Sequence, residues 1–224
     1  MIVCLFDIDG TLLASGGAGK AALESALTEE FGIALRDCVP YAGRTDRAII
    51  RDLFRIHDIP DTPENLDRIL GGYLRRLPDS LRRHDGKVLP GIENLLRFLK
   101  WEGSFAVGLL TGNVRSGAQT KLGHFGLFEH FAFGGFGDLH FERDDVAREA
   151  LGRVHHHVGA DVAPDRIWVI GDTPLDVKCA RAIGAKVAAV ATGMHTVEQL
   201  QEHGPDIVLA DLADPRPLLH LWDA

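Results

Sequence analysis

The chain holds 224 residues, 46% apolar and 25% charged, proportions that exclude a disordered or collagen-like polypeptide. Its 32 acidic against 24 basic residues leave a net charge of −8, which argues against a nucleic-acid partner held through phosphate neutralisation. No stretch reaches the ~20 apolar residues of a membrane span, and three scattered cysteines, Cys4, Cys38 and Cys179, form neither a disulfide framework nor a zinc motif.

In chain order, the first element is the continuous apolar run 2–6, which reads as a strand buried on both faces. It is too short for a signal-peptide core and lacks a basic flank, so a cytoplasmic chain is expected, with no membrane partner. A monomer or homodimer is the expected assembly. The next stretch, 15–86, carries no convincing strand but three helical segments, 18–31, 45–57 and 63–83. Thr45 and Thr62 stand as N-caps, and Pro63 occupies a first-turn position. Gly16 and Gly17 before these helices and Gly86 after them suggest flexible joints. The pattern predicts a helical domain over 15–86 inserted into a core made of 1–14 and 87–224.

Beyond it, helix and strand patterns alternate. The helices are expected at 90–101, 145–158, 174–183 and 196–202. Strands are expected at 105–110, 167–170, 187–191 and 207–209, with a weaker one at 131–133. Such alternation predicts an α/β fold, a doubly wound parallel sheet with helices on both faces.

Ligands of such sheets bind beyond the carboxyl ends of the strands. The first strand runs into Asp7-Ile8-Asp9-Gly10-Thr11. Two carboxylates leaving a buried strand are costly unless a cation or proton chemistry uses them. Strand 105–110 runs into Thr111-Gly112-Asn113, where free N–H groups can cradle an anion, although Asn113 equally reads as a cap of the next helix. Strand 167–170 runs into Gly171-Asp172-Thr173-Pro174-Leu175-Asp176. Thr173, Pro174 and Asp176 approach a capping box, which leaves Asp172 unexplained.

Asp-x-Asp-Gly-Thr, Leu-Thr-Gly-Asn and Gly-Asp-x-x-x-Asp, in that order and each at a predicted strand end, resemble the haloacid dehalogenase superfamily over residues 7–176. The helical insertion corresponds to that family's cap. The resemblance implies a Mg²⁺-dependent phosphatase acting on a small phosphomonoester similar to 2-phosphoglycolate. Asp7 would be the nucleophile and form an aspartyl phosphate. Asp9 would protonate the leaving oxygen and then deprotonate water. Mg²⁺ would be held by Asp7, the Asp9 carbonyl and Asp172, with Asp176 in support. Thr111 and the Gly112 and Asn113 amides would bind the phosphoryl oxygens. A phosphosugar mutase shares these motifs and is the alternative; a non-catalytic binding protein on the same fold is a remoter one.

One feature departs from the family, which usually places a Lys before the Gly-Asp motif. No Lys lies between Lys121 and Asp172. Arg143 is therefore assigned as the cation facing the aspartate and phosphate, its planar fork standing in for an ammonium, with Lys121 as second candidate. Residues 16–21 lack the outer glycine and the final Ser or Thr of a P-loop, but Lys20 there can still face the site. Gly43-Arg44-Thr45-Asp46 joins a turn, a fork donor and an N-cap, so Arg44 and Thr45, with Lys20, are expected to select the substrate. His155, His156 and His157 fan out around a helix at ~100° per residue and cannot converge on a metal. Trp101, Trp168 and Trp222 are expected in core or edge packing.

Overall fold

The computed structural model describes residues 1–37, 39–159 and 162–222, so Cys38 lies outside the described residues. The first half of the chain runs β1 (Ile2–Phe6), β2 (Leu13–Ala14), α1 (Ala18–Phe31), α2 (Asp46–Ile56), α3 (Pro63–Arg83), β3 (Lys87–Val88) and α4 (Ile92–Glu102). It continues through β4 (Phe105–Leu110), α5 (Arg115–His124), β5 (Phe133–Gly135), α6 (Arg143–Val158), β6 (Ile167–Gly171) and α7 (Pro174–Ala182). The last elements are β7 (Lys186–Val190), α8 (Val197–Gln201), β8 (Ile207–Leu209) and α9 (Arg216–Trp222).

Six strands form a parallel sheet in the order β5-β4-β1-β6-β7-β8. The chain builds outward from β1 first on one side and then on the other. That reversal opens a crevice beyond the carboxyl ends of β4, β1 and β6. Strand β1 is apolar throughout because both its faces are covered. Ile2, Cys4 and Phe6 pack with Leu95, Leu99 and Trp222 on one side, and Val3 and Leu5 pack with Val146, Ala150 and Ala180 on the other.

Helices α1, α2 and α3 gather a third cluster around Leu27, Ile50, Phe54, Ile69 and Leu77, which Val114 joins from beyond β4. The Thr45 and Thr62 hydroxyls cap α2 and α3 as expected, accepting from Ala48 N at 3.1 Å and Asn65 N at 3.2 Å. The glycine joints are tighter than expected. Strands β2 and β3 pair antiparallel and tie the two crossings together. A Cβ on Gly16 would come within 2.8 Å of the Asp85 carbonyl, and one on Gly86 within 2.7 Å of the Phe125 ring. These glycines serve close packing of the two crossings.

Two other expectations shift. Strand β5 covers Phe133–Gly135, displaced from 131–133, because its glycines let α6 lie directly on the strand: a Cβ on Gly135 would meet the Val146 carbonyl at 2.5 Å. Trp168 and Trp222 do pack together, with ring centres 6.2 Å apart, whereas Trp101 is 80% exposed. His157 stacks near Phe133, and the three histidines close the last turn of α6 without meeting. Among the described residues no helix is long and apolar enough to cross a membrane.

Candidate active site

Asp7 leaves β1 with its N–H bonded to the Ile170 carbonyl at 2.9 Å, and Asp172 leaves the neighbouring strand β6. One carboxylate oxygen from each of Asp7, Asp172 and Asp176 lies within 4.8 Å of the others, and all three residues are buried. Asp172 sits in a glycine cradle. A Cβ on Gly10 (φ +86°) or Gly193 would lie 2.3 Å or 1.7 Å from its Oδ2, while Thr11 Oγ1 donates to its Oδ1 at 3.0 Å. Burial pushes the Asp172 carboxyl up to about 8, and the charges of Asp176 and Asp7 add to that. Burial likewise raises Asp7 to about 6 against the opposing pull of Arg143.

Hard, crowded, mutually repelling carboxylate oxygens suit a hard divalent cation. The three are not equivalent. Both Asp176 oxygens are already engaged: Oδ2 accepts from Thr173 N at 2.9 Å and Thr173 Oγ1 at 2.7 Å, and Oδ1 accepts from Arg143. Asp7 and Asp172 form the front of the donor set, with Asp176 behind it.

The two candidate cations attend different carboxylates. Arg143, the first residue of α6, is buried and sends Nη2 to Asp7 Oδ1 at 3.1 Å and to Asp176 Oδ1. Burial works against its charge, but Asp176 and Asp7 outweigh it and hold the guanidinium protonated. Lys121, on α5, places Nζ 2.5 Å from Asp9 Oδ2 and 2.7 Å from Asn113 Oδ1. Burial raises the Asp9 carboxyl, yet Lys121 and the hydrogen bonds from Asn113 and Ser15 prevail and hold it below its ordinary value.

Thr111 is fully buried behind Asn113, accepting from Asn113 Nδ2 at 2.9 Å and Asn113 N at 3.3 Å. Its hydroxyl faces Asn113, where direct phosphoryl contact was expected. Asn113 does not cap α5 either, since Val114 holds the N-cap position; its Nδ2 reaches Asp9 Oδ2 at 2.9 Å.

These groups open into a cavity of about 430 Å³ whose lining includes Asp7, Asp9, Gly112, Asn113, Lys121, Arg143 and Asp172. Helices α1, α2 and α3 and the turns before them supply Lys20, Arg44, Asp46 and Tyr73 to the same walls. Lys20 is half-exposed, 3.8 Å from Glu24 and over the Tyr41 ring. Arg44 turns its guanidinium to Asp52 at 2.6 Å and to the Pro40 and Ala48 carbonyls. Thr45 does not line the cavity. It is fully buried, spent on capping α2 and on donating to the Phe141 carbonyl at 3.0 Å. Asp46 stood in the stretch read for substrate selection without a role of its own, and Tyr73 was not foreseen: an aromatic on a helix's apolar face is commonplace and carries no local signal.

Residues 4–190 match the family described as haloacid dehalogenase-like hydrolase, a span that takes in every carboxylate above. The chain belongs to that family. This haloacid dehalogenase-like hydrolase is 28% identical over 222 residues to a Dickeya dadantii protein named probable phosphatase IndB, covering 92% of this chain and 87% of the relative. It is also 28% identical over 211 residues to a phosphoglycolate phosphatase of Cereibacter sphaeroides, covering 89% and 90%. Among solved structures, a hydrolase from Pseudomonas syringae shares the fold with a TM-score of 0.73 at 21% identity, over 98% of each chain.

Proposed function

We propose that the chain is a divalent-metal-dependent phosphatase of small phosphomonoesters, working through an aspartyl phosphate on Asp7. The observation that carries this reading is the convergence of the Asp7, Asp172 and Asp176 oxygens within 4.8 Å, beside Asp9 and two buried cations. Relatives named as phosphatases over nearly the whole chain support it.

In the first step an Asp7 carboxylate oxygen attacks phosphorus, the bond to the leaving oxygen breaks, and Asp9 gives that oxygen a proton. In the second, Asp9 takes a proton from a water whose oxygen attacks the same phosphorus. The phosphorus–Asp7 bond breaks, and inorganic phosphate and free Asp7 result. Mg²⁺ would be held by Asp7, Asp172 and the Asp9 main-chain carbonyl, with Asp176 in support, and would neutralise charge on the phosphoryl oxygens. Arg143 orients Asp7. A phosphoryl group entering beside Lys121 competes for its ammonium, and Asp9 then loses the contact that keeps it ionised. The Gly112 amide meets the phosphoryl oxygens, while Thr111 and Asp9 hold the Asn113 side chain in place.

The helical insertion over 15–86 acts as a cap on the core formed by 1–14 and 87–224, with Lys20 and Arg44 at the mouth of the cavity. The cavity-lining cations Lys20, Arg44, Lys121 and Arg143 already stand beside carboxylates of this chain. Cys4 and Cys179 are free and buried, which fits a reducing cytoplasmic setting.

A panel of phosphorylated metabolites, 2-phosphoglycolate among them, assayed with Mg²⁺ and with excess chelator tests the reading. Turnover that falls at least about 100-fold in chelator is expected; equal turnover in both refutes metal dependence.

A further inference from the structure

Asp46 is a cavity carboxylate with no part in the chemistry above. It opens α2, but Thr45 already caps that helix, and the Asp46 side chain turns across to the core. Its Oδ2 accepts from Val114 N at 2.8 Å, and its own N–H donates to the Gly112 carbonyl at 2.8 Å. Two hydrogen bonds from one residue of the insertion thus bracket the loop 112–114.

The residue between those two anchors is Asn113. Its side chain donates to Asp9 Oδ2 and Thr111 Oγ1, each at 2.9 Å, and accepts from Lys121 Nζ at 2.7 Å. The bracket is built for close approach. A Cβ on Gly112 would stand 2.1 Å from the Arg44 carbonyl, and one on Gly137 would stand 2.1 Å from the Gly112 carbonyl. Only bare backbone lets the first turn of α2 reach this loop. Asp46 itself is half-buried and lines the cavity beside this loop.

We propose that Asp46 is a positioning residue of the reaction: by clamping the loop 112–114 from the helical insertion, it sets the Asn113 amide that aligns Asp9 with Lys121. The inference rests on the reading of Asp9 as the proton-transfer group. It makes the rate depend on a contact made by the insertion even for substrates too small to touch the insertion's walls. A displacement of about 1 Å at a reacting group is enough to slow chemistry by about 100-fold.

The test is a cycle of Asp46→Ala, Asn113→Ala and the double variant, with Asp46→Asn as the conservative control, assayed on p-nitrophenyl phosphate with Mg²⁺. Asp46→Ala is expected to lower kcat about 10- to 100-fold with KM changed less than about threefold. Asp46→Asn, whose carboxamide oxygen can still accept from Val114 N, is expected to recover most of that loss. In the Asn113→Ala background, Asp46→Ala is expected to cost almost nothing more, because both changes break one chain of contacts. Parent-like kcat in Asp46→Ala, additive losses in the double variant, or an Asp46→Asn protein as slow as Asp46→Ala would each overturn the proposal. Thermal melts separate these results from unfolding, and Asp46→Asn keeps the test available should the alanine variant not fold. A parent enzyme inert on every phosphomonoester would remove the phosphatase reading itself, whereas an active parent with an indifferent Asp46 removes only this inference.

Discussion

One half of the site is carried by the sheet and its core helices, touched by the 15–86 segment where Arg143 Nη1 donates to the Gly43 carbonyl at 3.2 Å, and the other half is shared with that segment through α2. Asp7, Asp172, Asp176 and Arg143 all follow strands or open a core helix, and none is more than 5% exposed. Asp9 has a side chain 39% exposed, and it is held by Lys121 and by Asn113, whose loop is anchored to α2. The buried half is a balance of charge with little water to screen it. The half-exposed side is a matter of hydrogen-bond direction. Changes in the first should therefore damage stability and rate together, and changes in the second should damage rate with the fold left largely intact.

Arg143→Ala should separate the two halves most sharply. Removing one partner of a buried ion pair costs about 3–5 kcal/mol, and losing the guanidinium beside Asp7 should slow turnover about 100- to 1,000-fold. Chemical denaturation and steady-state kinetics on the same protein check both numbers. Arg143→Lys should restore only part of each, since one ammonium can stand in for Nη2 between Asp7 and Asp176 but cannot also replace Nη1 on the Gly43 carbonyl. A stable, fully active Arg143→Ala enzyme would erase the distinction.

Lys121→Ala should be milder, slowing turnover about 10- to 100-fold while unfolding stays near that of the parent. Because Lys121 is the strongest influence lowering the Asp9 carboxyl, its removal raises that group. The alkaline limb of the kcat/KM–pH profile, which Asp9 sets as the proton donor of the first step, should move to higher pH. A limb that stays in place would detach Asp9 from Lys121.

The smallest effect lies in stability against pH. Asp7 and Asp172 rise to about 6 and about 8 in the folded chain, above an unfolded value of about 3.9. A carboxyl raised by folding contributes stability that is complete at low pH and is lost as pH climbs through the folded value. Chelator-treated protein should therefore melt at progressively lower temperature from about pH 4 to about pH 8, most steeply below pH 6 where both groups contribute, and Mg²⁺ should raise the melting point more at the alkaline end. Asp172→Asn should flatten the slope. An unchanged slope in that variant would mean that the repulsion lies elsewhere.

The buried half was legible in the amino-acid order because its physics is local. Strands covered on both faces read as unbroken apolar runs, and a carboxylate stranded at the end of such a run demands a cation. Helices α1 and α3 and strands β1, β4 and β8 stand at their expected bounds for the same reason. The shared half was harder to see. Asp46 and Val114 are 68 positions apart, and nothing in either neighbourhood announces their hydrogen bond. Thr111 looks like a phosphate ligand by its place after β4, yet the Asn113 side chain folds back over it. Arg143 and Lys121 looked like rivals for one role because sequence order does not reveal that α5 and α6 aim at different carboxylates. Strand β5 was displaced because glycine, poor in strand propensity, is required where α6 lies against it.

The central claim is that Asp7 itself becomes phosphorylated in a site assembled around a divalent ion. Acid quenching of a single turnover with ³²P-labelled substrate, followed by peptide mapping, tests it directly. The account predicts label on the peptide holding Asp7 in the presence of Mg²⁺, and none in Asp7→Asn or in chelator. Rapid turnover with no label on Asp7 at any quench time, or label on another residue, would contradict it.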